Sequence, residues 1–138
     1  MPSGPGVPDE ADPNELARWL FDRARAGDAG QLAARIETGM PVNLTDAHGN
    51  TLLMLAAYHG HAATVETLID RGATVDAVNE RGQTPLAGAV FKGYEDVVRV
   101  LLDAGAQIRA GTPSAWDTAT FFDRAEMLRI LRSAEDRT

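Results

Sequence analysis

The stretch Asn79-Glu80-Arg81-Gly82-Gln83-Thr84-Pro85-Leu86-Ala87-Gly88-Ala89-Val90-Phe91-Lys92-Gly93 decides how this chain folds. Asn79 can bond its own backbone two residues on, and Gly82 supplies a positive φ, so residues 79–82 read as a turn. Thr84 stands where a helix N-cap belongs, and Pro85 takes the first helical position, where a backbone N–H has no partner in any case. A short apolar helix is predicted from Leu86 to Phe91, and its small residues Gly88 and Ala89 allow a neighbouring helix to approach closely. Gly93 breaks it. Beyond it, Val97, Val98, Leu101 and Leu102 recur at spacings of three and four and predict a second, amphipathic helix. Its other face carries Glu95, Arg99 and Asp103 at i, i+4 spacing. Gly105 closes it as a left-handed cap, and Ala106-Gln107-Ile108-Arg109 reads as an extended link.

The same grammar recurs along the chain with one period. Gly27, Gly60 and Gly93 are spaced by 33 residues, and so are Gly39, Gly72 and Gly105, and so are Gly49 and Gly82. Chance does not produce three interleaved series in one register, and a fixed period of this size is the signature of a repeat architecture. Leu32, Val65 and Val98 keep the register, as do Ile36, Ile69 and Leu102. One period upstream of the opening stretch, Asp46-Ala47-His48-Gly49 is the turn, Thr51 the cap and Leu52 to Tyr58 the first helix. Val65, Leu68 and Ile69 mark the second helix, which Gly72 closes. The end units differ, as capping repeats do. At Asp12-Pro13-Asn14-Glu15 a capping residue, a proline and an acid start a longer helix, Pro13 to Ala26, with Arg18, Asp22, Arg23 and Arg25 for its wet side. The last unit is three residues shorter in its loop; Ser114-Ala115-Trp116-Asp117 resembles a capping box, and Glu126 to Leu131 continues an amphipathic helix. Residues 1–11 hold Pro2, Pro5, Pro8, Gly4 and Gly6 and read as a disordered tail.

The period, the D-x-x-G turn, the run Thr51-Leu-Leu-Met-Leu-Ala-Ala-Tyr-His-Gly-His61 and the opening stretch resemble the ankyrin repeat, whose unit reads G-x-T-P-L-H-L-A-A-x-x-G-H followed by a second helix and G-A-D-V-N-A. Gly72-Ala-Thr-Val-Asp-Ala77 and Gly105-Ala-Gln-Ile-Arg-Ala110 match that last segment. The likeness covers about residues 13 to 136 and implies an all-α solenoid of four helix-turn-helix units, two central and two capping, at about 13–45, 46–78, 79–108 and 109–138, in a single domain over 12–138. It is closest to compact bacterial four-repeat members, some encoded beside stress-response enzymes such as catalases, which implies a bacterial stress-response setting. One departure is systematic. The family's T-P-L-H histidine is Met54, Ala87 and Asp117 here, so its Thr–His hydrogen bond cannot form, and apolar packing is expected to replace it in the middle units. His61 holds the family's G-H position, where it helps the turn between the helices.

Such repeats bind proteins through a concave face made of the hairpin tips and the inner side of each first helix. The resemblance places on it the pairs Arg25-Ala26, Tyr58-His59, Phe91-Lys92 and Phe121-Phe122, with the tips Ala47, His48 and Asn50, then Glu80, Arg81 and Gln83. The candidate partner-binding residues are therefore Arg25, His48, Asn50, Tyr58, His59, Glu80, Arg81, Gln83, Phe91, Lys92 and Phe121. Aromatics and arginines dominate interface energies because they bury much area with few rotors. Tyr58, Phe91 and Phe121 form a column, one per repeat, with Tyr58 and Phe91 expected partly exposed and one of Phe121 and Phe122 expected to fill core. The basic neighbours Arg25, Arg81 and Lys92 point to an acidic or amphipathic partner segment.

Composition narrows the function. The 138 residues suffice for one core, and 44% apolar with 24% charged residues is ordinary for a globular protein. The absence of cysteine excludes disulfides and thiolate chemistry. A formal charge of −7, with 13 scattered Lys and Arg, argues against nucleic acid and anionic membranes as partners. With neither a signal sequence nor a membrane span, a cytoplasmic protein is the default expectation. No nucleophile elbow, phosphate-cradling loop or nucleophile–base pair is present, so no enzyme and no cofactor are expected. His48, His59 and His61 lie close in sequence, but no carboxylate cluster with ligand spacing joins them, and no metal is expected. The preferred reading is an adaptor or accessory subunit, monomeric in isolation, since four repeats offer a surface of standard interface size. A homodimer closed by the aromatic patch is the alternative, and a His-based metal or small-ligand binder a weaker one.

Overall fold

The computed structural model describes residues 12–137; the expected tail at residues 1–11 lies outside them. The described chain runs through α1 (Pro13–Ala26), α2 (Ala29–Glu37), α3 (Leu52–Tyr58), α4 (Ala62–Asp70), α5 (Pro85–Lys92), α6 (Glu95–Asp103), α7 (Ala115–Phe121) and α8 (Ala125–Asp136). α5 extends one residue further at each end than Leu86 to Phe91, because Pro85 fits the first helical position and the positive φ of Gly93 stops the chain only after Lys92. Among the described residues no strand forms, and extended pairing is limited to the bridges Thr45–Thr51 and Gly111–Ser114.

Consecutive helices pair into hairpins, and the hairpins stack. α1, α3, α5 and α7 form an inner row, α2, α4, α6 and α8 an outer row, and each helix packs on its row neighbours and on its hairpin mate. The sequence explains why the inner row can be tight. Ala24, Ala56, Ala57, Ala89, Ala115 and Ala119 are all fully buried, so backbones approach without voids. Leu20, Leu53 and Leu86, one per unit and 33 residues apart, fill the space between, at 1%, 1% and 0% exposure. The two tryptophans sit in the end units, each covered by two guanidinium groups, Trp19 by Arg23 and Arg35 and Trp116 by Arg109 and Arg132. Such stacking lets a large apolar ring close the end of a stack while charge faces water.

Inner helices begin on side-chain caps. Thr51 accepts from the Met54 N–H, Thr84 from Ala87 and Ser114 from Asp117, each at 3.1 Å. A cap of this kind stabilises by about 0.5–2 kcal/mol. Where the family's histidine would stand, Met54 and Ala87 are both buried at 6% exposure. Among the outer helices α2 is capped by the Asp28 carboxylate, which accepts from the Gln31 N–H, but α4, α6 and α8 begin on His61, Tyr94 and Arg124, which make no side-chain cap bond. They reach back to the preceding unit instead. The His61 Nε2 lies 2.7 Å from the Arg25 carbonyl oxygen, and Arg124 donates to the Phe91 carbonyl at 2.7 Å. Each presses on the glycine that ends the preceding inner helix. A Cβ on Gly27 would come within 2.5 Å of the His61 ring, and one on Gly60 within 3.1 Å of the Tyr94 ring. Those glycines are thus required twice, for positive φ and for this contact. The His61 ring works between repeats rather than within its own interhelical turn, which corrects the role implied by the resemblance. The expected i, i+4 pairs on α6 do not close among the described residues; Asp103 faces Arg137 at 3.9 Å.

Candidate functional site: a concave aromatic and basic face

The hairpin tips are built by two residues of one register position. The Asp46 carboxylate accepts from the N–H groups of His48 and Asn50, both at 2.9 Å. One repeat on, the Asn79 side-chain oxygen accepts from Arg81 at 2.9 Å and Gln83 at 3.1 Å. The tips are then tied to each other, because Glu80 donates its backbone N–H to the His48 carbonyl at 3.0 Å and Asn79 its amide to the Asn50 side chain at 2.9 Å. Partial burial raises the Asp46 carboxyl, but the N–H groups of Asn50 and His48, the Asn50 side chain and the nearby His48 outweigh it and hold it below the ordinary carboxylate value. A depressed native pKa means the unfolded chain takes up the proton first, so this stability is present above the ordinary aspartate pKa and is lost as pH falls through the lower native value. Asn79 shows that an amide makes the same turn. Asp46→Asn should therefore keep the fold at neutral pH and flatten the loss of stability on acidification, read from denaturant melts between about pH 5 and pH 2.

Beside these tips the inner helices leave a cleft of about 360 Å3. The structure brings His48, Asn50, Tyr58, His59, Glu80, Arg81 and Gln83 together around it, over a floor that includes Met54, Leu55, Pro85 and Gly88. Gly88 matters here: a Cβ would stand 3.3 Å from the Tyr58 ring, so the absent side chain lets that ring lie across the repeat boundary. Tyr58 and Phe91 are partly exposed, at 40% and 39%. Arg25 lies beyond the cleft, beside His48 along a shallower groove, and pairs with Asp22 at 2.9 Å. Burial, then the charges of Arg25, His61 and Lys92, push the His59 pKa below its ordinary value, which keeps the ring neutral near pH 7.

Neither Phe121 nor Phe122 fills core. They are 81% and 48% exposed, which overturns the expectation that one would be buried. α7 already supplies its buried contacts through Ala115, Thr118 and Ala119, and its two C-terminal rings are not among them. Phe122, outside the candidate residues named from the sequence, joins the same exposed aromatic group. Its ring meets Phe91 edge-on at 5.2 Å and Phe121 edge-on at 4.9 Å. The register held the signal, since Phe122 occupies in the last unit the position of Lys92 and His59. At two of the boundaries that position lies against the preceding unit's inner-face residue, while the His59 ring meets Tyr58 of its own unit. The Lys92 ammonium stands over the Tyr58 ring at 5.1 Å, as Phe122 stands against Phe91. The column is therefore not ring on ring; it is joined through the residue that ends each next inner helix.

Among the described residues no group of three His, Asp or Glu side chains could hold a metal ion, and no helix is long and apolar enough to cross a membrane.

Comparison with known proteins agrees with this architecture. The family model described as ankyrin repeats (3 copies) matches residues 13–112. An ankyrin repeat protein of Pseudomonas aeruginosa is 45% identical over 56 residues, 41% of this chain and 33% of that protein. The crystal structure of the human ASB11 ankyrin repeat domain is similar at a TM-score of 0.74 and 31% identity, covering 83% of this chain and 52% of that one. This chain thus spans about a third of the curated relative it matches, 33%, and about half of the solved chain, 52%. With the repeat period, the stacked hairpins and a family match over most of its length, this chain belongs to the ankyrin-repeat family.

Proposed function

We propose that this protein is a non-catalytic adaptor or accessory subunit that binds a partner protein through the concave face bearing Tyr58, His59, Phe91, Lys92, Phe121 and Phe122. Ankyrin repeats are protein–protein interaction modules, and the residues of this face carry the specific claim. The supporting observation is that Tyr58, Phe91, Phe121 and Phe122, at the ends of the inner helices, are all exposed. Contiguous exposed apolar surface of this kind marks interaction sites in soluble proteins. The tips are rigid through their side-chain bonds to the backbone, so little ordering would oppose association.

The test is affinity capture followed by hydrogen exchange on the complex. Slowed exchange is expected in peptides covering 46–59, 80–92 and 118–124. Protection confined to the outer row, α2, α4, α6 and α8, would sink the concave-face reading. Protection of the inner face that grows with protein concentration in the absence of a partner would assign the surface to a homodimer.

A further inference from the structure

The contacts across the inner face change character from one end of the stack to the other. At the first boundary the corresponding residues are Arg25 and His59, and the His59 pKa is lowered by burial first and then by the charges of Arg25, His61 and Lys92. At the second, Tyr58 is opposed by Lys92 in a cation–π contact at 5.1 Å. At the third, Phe91 is opposed by Phe122, with Phe121 beyond it at 4.9 Å from Phe122. The same two register positions thus run from charged, through mixed, to purely aromatic. Arg81 adds a cation at the cleft, beside Glu80, and Asp22 partly offsets Arg25. On a protein of net charge −7 this is a local inversion, since acids crowd the outer row at Glu66 and Asp70 on α4 and Glu95, Asp96 and Asp103 on α6.

We infer that the partner docks a segment with separated halves: carboxylates lying over Arg25, Arg81 and Lys92, and an apolar or aromatic anchor seated on Phe91, Phe122 and Phe121. This rests on the concave-face reading and adds the chemistry and orientation of the ligand. The aromatic end offers a carboxylate only Arg124, whose guanidinium already donates to the Phe91 carbonyl, and the basic end would leave an apolar side chain beside solvated charge, so the reverse placement is the poorer one. A basic segment could place a cation over a phenylalanine face, but it is repelled at Arg25, Arg81 and Lys92.

The experiment is a selection of random twelve-residue displayed peptides against the full chain. Enriched peptides should carry Asp or Glu in one half and Phe, Leu or Trp in the other. Lys92→Glu should weaken a selected peptide about tenfold and flatten its salt dependence, because screened charge contacts are what it removes. Phe121→Ala with Phe122→Ala should weaken it by a similar factor and leave the salt slope unchanged. A photo-crosslinker at the apolar end of the peptide should label residues 118–124, and one at the acidic end residues 25–59 or the tip at 80–83. Enriched peptides without acids, acidic and apolar positions mixed without order, reversed crosslinks, or no enrichment at all would each overturn the proposal. Neutral peptides that still lose binding on Tyr58→Ala with Phe91→Ala would overturn it while leaving the concave-face reading intact. Peptides indifferent to every one of these substitutions would remove both.

Discussion

Leu86→Ala is expected to lower the unfolding free energy by about 2–5 kcal/mol, a large part of what a domain of this size possesses. Leu86 is fully buried in α5, which lies between α3 and α7 in the inner row. It continues the column begun by Leu20 and Leu53, so truncation opens a void at the middle of the stack instead of at an end. The same inner row holds the fully buried Ala56, Ala57, Ala89 and Ala119, which have no rotamers with which to close a gap. The cavity term should therefore be near its maximum. The measurement is a denaturant melt: the midpoint should fall while the slope stays constant. Val78, 53% exposed on the link before the second tip, is the control. If Val78→Ala cost as much as Leu86→Ala, burial in the inner row would not be what sets stability.

Tyr58→Ala combined with Phe91→Ala is expected to abolish partner capture while leaving the melt almost unchanged. Each lost aromatic at a true hot spot costs roughly 2 kcal/mol or more, so the pair is worth about 4 kcal/mol, close to a thousandfold in Kd. The two rings reach into neighbouring repeats, Tyr58 under Lys92 and Phe91 against Phe122, so removing them also frees the lysine and the phenylalanine that hold the face in shape. Folding should survive because both rings are more than a third exposed and neither belongs to the buried column. The readout is the dissociation constant for the captured partner, with circular dichroism and the melt as folding controls. Unchanged affinity in a folded double variant would show that the partner uses another surface.

The two predictions divide along the line between pattern and contact. The helices were legible because each is bracketed by local chemistry: Thr84 and Pro85 start α5, the left-handed Gly93 stops it, and both effects act within a turn of the residue concerned. The inner-face positions were legible because a constant period carries a register from one unit to the next. Tyr58 and Phe91 are as exposed as that register implied, and most of the tip and inner-face candidates do converge on one cleft.

What the pattern did not contain was which side chain meets which across a repeat boundary. Nothing near Phe122 in the chain tells that its ring stands on Phe91, 31 positions earlier, or that Arg124 holds the carbonyl of the same residue. The expectation of a buried phenylalanine failed for the same reason, since the buried contacts of α7 are made by Ala115, Thr118 and Ala119. The resemblance sets His61 to work at the turn between its own helices, whereas its ring spans to Arg25 of the preceding unit. By itself, then, the sequence determined the repeat, its helices, its caps and its tips, all of which follow from interactions between residues a few positions apart. Only the tertiary structure decided the graded face from Arg25–His59 to Phe91–Phe122, because that surface is made by the spacing and tilt of stacked hairpins, and neither is a property of any single repeat.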